Sequence, residues 1–258
     1  MFSRNKLVLV GSGIKTLAHL TQEAQTYIEK ADFVLYLLNE PVLEKYIKKL
    51  NPNHESLEPY YFNHTLRSDA YTEISNHILS KASEYQFLTV ILYGHPTVFT
   101  SPGLTALKKA KTLGYETLIL PGVSAEDCLF ADLEINPGNE GCISIEATEF
   151  LLKERILDPY SHVLLWQVAM LGNLKQATNY LSTKALEALL NKLLKYYSPQ
   201  QELFIYEAAI YPGMNPRIEK IRLENLPTGN FSTLSTLYIP PKSRAPVDDK
   251  TLRELNLN

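Results

Sequence analysis

Lys6-Leu7-Val8-Leu9-Val10-Gly11-Ser12-Gly13 is the stretch on which the fold turns. Four consecutive apolar residues ending at glycine read as a strand buried on both faces. After it, Leu17, Leu20, Ala24, Ile28 and Ala31 recur at three- and four-residue steps, which predicts a helix with one apolar stripe. Residues 33–38, 88–93 and 117–120 are further apolar runs, the last preceded by a predicted helix over 104–113. Such alternation specifies a parallel sheet covered on both faces. The second half differs. Strand-like segments at 142–147, 163–169, 203–208, 218–223 and 234–239 surround one long predicted helix, 184–196. An excess of strands over helices predicts a mixed or antiparallel sheet. Pro121-Gly122 divides the patterns into an N-terminal domain over 1–122 and a C-terminal domain over 123–241. In the polar tail, 242–258, Leu252, Leu255 and Leu257 are expected to dock a last turn.

Of the 258 residues, 45% are hydrophobic and 21% charged, with a net charge of -3. That balance suits a globular protein and argues against nucleic acid, whose partners carry a basic face. Two cysteines, Cys128 and Cys142, make no disulfide framework, so a cytoplasmic location is expected. The six histidines form no metal-ligand spacing, and no metal is expected. The apolar run behind Met1-Phe2-Ser3-Arg4 is too short for a signal-peptide core or a membrane span.

Gly11-Ser12-Gly13 after a strand reads either as a phosphate cradle or as a tight strand–helix turn, and the third glycine of the dinucleotide fingerprint is missing. Tyr93-Gly94-His95-Pro96, followed by Thr97-Val98-Phe99, closes a strand, where open sheets bind their ligands. Pro121-Gly122-Val123-Ser124-Ala125 opens a helix that Ser124 can cap. Gln167, next to Trp166 on an apolar strand, needs hydrogen-bond partners if buried.

In this order, with Tyr206-Glu207-Ala208-Ala209 and Ser235-Thr236-Leu237, these segments resemble the tetrapyrrole-methylase superfamily over nearly the whole chain. The resemblance implies a two-domain class III methyltransferase fold, with a parallel-sheet N-terminal and a mixed-sheet C-terminal α/β domain. It further implies a homodimer, with S-adenosylmethionine folded into the cleft between the domains and released as S-adenosylhomocysteine. Arg67, with Tyr61, Tyr71 and Tyr93 around it, resembles the catalytic set of borosin peptide backbone α-N-methyltransferases. Glu58 stands where that set has a second tyrosine, and His95 where tetrapyrrole C-methyltransferases carry aspartate. Carried over by residue, the implied cofactor contacts are Tyr93, His95, Val98, Ala125, Gln167, Ala208, Ser235 and Thr236.

These residues suit the chemistry. An amide nitrogen is a poor nucleophile because its lone pair is delocalised into the carbonyl. Methylating it requires removing a proton and holding charge on oxygen, and phenols do both. Arg67 and Tyr71 share a face if their segment is helical, and a guanidinium stabilises a phenolate. Tyr71 is then the expected base, with Tyr61 and Tyr93 holding the substrate oxygen. A plain packing role for these residues is the alternative, since 16 residues are tyrosine. At the level of function, the alternatives are a methyltransferase on a tetrapyrrole, a small metabolite or ribosomal RNA, and a non-catalytic S-adenosylmethionine-binding module. The charged tail has no apolar run resembling a substrate core. A separate precursor peptide with a docking segment is therefore expected as substrate.

Overall fold

Odd and even residues of β1 (Lys6–Gly11) serve different cores. Leu7 and Leu9 join one cluster, and Val8 and Val10 another. The computed structural model describes residues 5–38, 40–173 and 181–257. Met1 to Arg4, read above for a targeting signal, lie outside them.

The first sheet is parallel throughout, in the order β3-β2-β4-β1-β5. In chain order its elements are α1 (Gln22–Lys30), β2 (Phe33–Leu37), α2 (Pro41–Leu50), β3 (His54–Ser56), α3 (Glu58–Phe62), α4 (Arg67–Glu84), β4 (Phe87–Leu92), α5 (Ser101–Thr112), β5 (Glu116–Leu120) and α6 (Ala125–Asp132). One face packs against Ile74, Ile78 and Ala82 of α4 and Ala106, Leu107 and Ala110 of α5. The other face packs against Ala24 and Ile28 of α1 and Leu43 and Ile47 of α2. The expected doubly covered sheet is present.

α1 begins later than the apolar stripe predicts. Thr21 caps it by accepting from Ala24 N at 3.1 Å, and Leu17 lies before it at φ 61°. Residues 14–20 form a loop instead, because His19 Nδ1 takes the N–H groups of Ile14 at 3.3 Å and Lys15 at 3.1 Å.

The second sheet is mixed, in the order β6-β7-β10-β8-β9. Its elements are α7 (Pro137–Glu140), β6 (Cys142–Glu146), α8 (Ala147–Leu152), β7 (His162–Trp166), α9 (Thr183–Leu193), β8 (Glu202–Glu207), β9 (Arg217–Arg222), β10 (Thr236–Ile239) and α10 (Asp249–Glu254). β6 runs parallel to β7, whereas β10 is antiparallel to β7 and β8. Phe150 of α8 and Leu186, Leu189 and Leu193 of α9 cover one core with Val163, Leu165, Ile205 and Leu237.

The described residues form two compact units. One holds 5–133, Asn173 and Ala208–Arg217, and the other Glu134–Gly172, 181–207 and 218–257. Residues 123–133, expected to open the second domain, thus group with the first sheet, where α6 follows β5 and buries Cys128 and Leu129. Residues 242–257 group with the second. Leu255 and Leu257, expected to dock, are 60% and 63% exposed, and α10 is capped by its own Asp248. No helix among the described residues is long and apolar enough to cross a membrane.

Candidate active site

Three glycines bring the ends of β1, β4 and β5 together. A Cβ on Gly11 would lie 2.4 Å from Gly94 O, and one on Gly122 would lie 2.5 Å from the same oxygen. Gly94 and Gly13 have φ of 69° and 73° and exchange two backbone hydrogen bonds of 3.1 Å. Every N–H from Ser12 to Thr16 is spent within the protein. The acceptors are Leu92 O, Gly94 O, His19 Nδ1 twice, and Ile210 O. The loop is therefore a tight backbone junction, and it offers no row of free N–H groups to a phosphate. Burial, and then Lys15, lower the His19 pKa, and its Nδ1 acts as an acceptor.

Tyr93 follows β4 and donates its N–H to Leu37 O at 3.2 Å. Burial first, then the Cys128 thiol, raise its phenol above the ordinary value. His95 Nδ1 folds back onto Thr97, 3.2 Å from its N and 3.0 Å from its Oγ1, and Val98 N donates to His95 O at 3.2 Å. Ala125 is the first residue of α6. Ser124 and Asp127 cap that helix reciprocally, so the serine has a structural role.

Tyr61 and Tyr71 come together on α3 and α4, with ring centroids 6.2 Å apart and planes at 30°. The segment bearing Arg67 and Tyr71 is helical, so the two stand one turn apart on α4. Arg67 Nη2 donates to Asn173 O at 2.5 Å. A backbone carbonyl 106 positions away leaves no trace in sequence, and Asn173 went unsuspected.

Ala208 and the residues after it group with the first unit. Thr16 N donates to Ile210 O at 2.8 Å, and Tyr211 Oη donates to Glu40 Oε1 at 2.9 Å. Glu40 also accepts from Val42 N and Leu43 N at the start of α2. Burial pushes its pKa up, but these donors outweigh burial and hold it low.

In the second unit, Gln167 is not on a strand. β7 ends at Trp166, and Gln167 has φ 57° at the head of a 3-10 turn over Val168–Met170. The buried-glutamine puzzle thus becomes a left-handed corner, a conformation that costs energy in a non-glycine residue and concentrates at functional sites. Ser235 Oγ donates to Glu207 Oε1 at 2.6 Å and accepts from Ser232 N at 2.8 Å. That turn delays β10 to Thr236, which is buried opposite Tyr206.

Residues 6–227 match the model of the tetrapyrrole (corrin/porphyrin) methylases. The methyltransferase/ribosomally synthesized cyclic peptide dendrothelin A precursor of Dendrothele bispora is 36% identical over 96% of this chain, which spans 61% of that protein's length. The methyltransferase/ribosomally synthesized type I borosin cyclic peptide precursor of Coprinopsis marcescibilis is 35% identical over 98% of this chain and 67% of its own. Among solved structures, uroporphyrin-III-C-methyltransferase from Thermus thermophilus superposes with a TM-score of 0.64 at 20% identity, covering 92% of this chain and 95% of its own, a likeness of fold. By the match across most of its length, this chain belongs to the tetrapyrrole methylase family, and within that family it resembles the borosin methyltransferase–precursor proteins.

Proposed function

We propose that this chain is an S-adenosylmethionine-dependent methyltransferase acting on backbone amide nitrogens of a ribosomally made precursor peptide. The observation that carries the reading is the close, tilted approach of the Tyr61 and Tyr71 rings, with Arg67 one turn before Tyr71 on α4. It is supported by relatives, 36% and 35% identical, whose names join a methyltransferase to a cyclic peptide precursor.

The proposed cofactor contacts, carried over from the resemblance residue by residue, are Tyr93, His95, Val98, Ala125, Gln167, Ala208, Ser235 and Thr236. No lysine or arginine is among them, which fits a ligand without phosphate. Bound S-adenosylmethionine supplies an electrophilic methyl group on a sulfonium and leaves as S-adenosylhomocysteine. Tyr71, as phenolate, takes the amide proton while Arg67 balances the charge. Tyr61 and Tyr93 donate to the substrate carbonyl oxygen as charge builds there. The raised pKa of Tyr93 suits a donor. The active form is a homodimer.

The peptide is presented by a separate precursor chain with a docking segment, which raises the local concentration of a weakly held core. Intact-mass measurement tests both statements. Incubated with cofactor and a candidate precursor, these 258 residues should place a ladder of methyl groups on the precursor and none on residues 242–258. Methyl groups on the latter would overturn the trans arrangement, and methylation of a tetrapyrrole or RNA instead would overturn the substrate class.

A further inference from the structure

Adjacent to Tyr61 stands Tyr60, and the two have different surroundings. Tyr60 Oη donates to Glu55 Oε1 at 3.0 Å. His77 Nε2 lies 2.8 Å from the same oxygen, and Lys81 Nζ lies 3.5 Å from Glu55 Oε2. The Tyr60 and His77 rings stack at 4.2 Å and 27°. A single carboxylate on β3 therefore holds Tyr60 of α3 and draws Lys81 of α4, with the His77 ring close beside it but not hydrogen-bonded to it. Burial, then the bond to Glu55, hold the Tyr60 phenol above its ordinary value, so it remains the donor. A second tie, His64 Nε2 to Glu73 Oε2, joins the α3–α4 loop to α4.

α3 needs such ties. It has five residues, no buried side chain and no side-chain cap at Leu57. A helix that short does not hold itself in water. Neighbouring residues on a helix point about 100° apart, so Tyr60 can be gripped while Tyr61 faces Tyr71.

We propose that Glu55, acting through Tyr60 and with His77 and Lys81 around it, is a positioning residue that sets Tyr61 against Tyr71. This rests on the catalytic reading of Tyr61 and Tyr71 given above. The carboxylate touches no reacting atom. It fixes the angle of α3, and a misplacement of about 1 Å at a reacting group can cost about a hundredfold in rate.

The variants are Glu55→Gln, Tyr60→Phe and the two combined. In Glu55→Gln, kcat on the precursor peptide should fall between about tenfold and a hundredfold, with the S-adenosylmethionine Kd kept within about twofold. Tyr60→Phe should lose less, because its ring can still stack on His77. The double variant should be no worse than Glu55→Gln, because both remove one unit. Unchanged kcat in both single variants, or a lowered melting point with normal kcat per folded molecule, overturns the proposal. A second readout needs no peptide. With 3-fluorotyrosine replacing Tyr61, the fluorine resonance should shift or broaden on Glu55→Gln, and an identical spectrum overturns the proposal. If the resonance responds but the parent enzyme methylates no peptide, the positioning role stands and the functional reading falls.

Discussion

Tyr93 is a phenol at the end of β4 whose proton is held more tightly than usual, by burial first and then by the neighbouring Cys128. In the proposed reaction it donates a hydrogen bond and takes no proton. Tyr71 has Arg67 one turn away on α4 and the Tyr61 ring 6.2 Å off. That division of labour is testable by substitution. Tyr71→Phe and Arg67→Ala should lower single-turnover methylation by roughly a hundredfold or more, the usual worth of a positioned base. Calorimetric affinity for S-adenosylmethionine should stay near the parent value, since both side chains act on the acceptor. Turnover like the parent's in either variant would remove Tyr71 as base.

At the scale of elements, the backbone junction of Gly11, Gly94 and Gly122 governs where the loops after β1, β4 and β5 can go. A Cβ at Gly11 would meet backbone at 2.4, 2.8 and 2.9 Å, and backbone cannot swing aside as a side chain can. Gly11→Ala should therefore cost roughly 3 kcal/mol or more, and lower the melting point by roughly 6 °C or more. Gly114 is the matched control. It has φ of 84° with nothing within 4 Å, so Gly114→Ala meets backbone strain alone, about 1 kcal/mol. Equal melting points for the two variants would show that the junction tolerates side chains. Of this junction, the sequence shows glycines at strand ends, but the meeting of three chain segments at one oxygen is invisible in it. α4 was legible only in part, because its buried stripe of Ala70, Ile74, Ser75, Ile78 and Ala82 gives little apolar contrast.

For the whole molecule, three buried groups set an alkaline limit. Burial, as the main cause, pushes Cys128 from 9.0 to about 11 and Tyr238 from 10.0 to about 12, and it raises Tyr197 as well. These groups bind their protons more tightly folded than unfolded. The stability they contribute is complete below the unfolded values and is lost as pH rises through the folded ones. Melting temperatures should thus stay level up to about pH 9 and fall between there and about pH 12. Tyr238→Phe gives up the 2.9 Å bond to His162 Nδ1 at neutral pH, costing about 1 kcal/mol, but should flatten the alkaline fall. A fall of the same depth in that variant would assign the limit to other groups.

Local pattern determined what a few consecutive residues can encode. Every strand but β3, the parallel character of the first sheet and the mixed character of the second follow from hydrophobic period and turn chemistry, which act within a short window. His54-Glu55-Ser56, by contrast, has no apolar run to announce it. The corner at Gln167 escaped that window, since Val163 to Ala169 is apolar almost throughout and only the packed backbone reveals its φ of 57°. The same holds for contacts that join distant segments. Arg67 with Asn173, Thr16 with Ile210, and Glu40 with Tyr211 are 106, 194 and 171 positions apart. The resemblance names Tyr61 and Tyr71 by spacing, but the approach of their rings to 6.2 Å depends on how a five-residue helix lies on α4. Tertiary packing alone decides that angle, because so short a helix has no stability of its own to fix it.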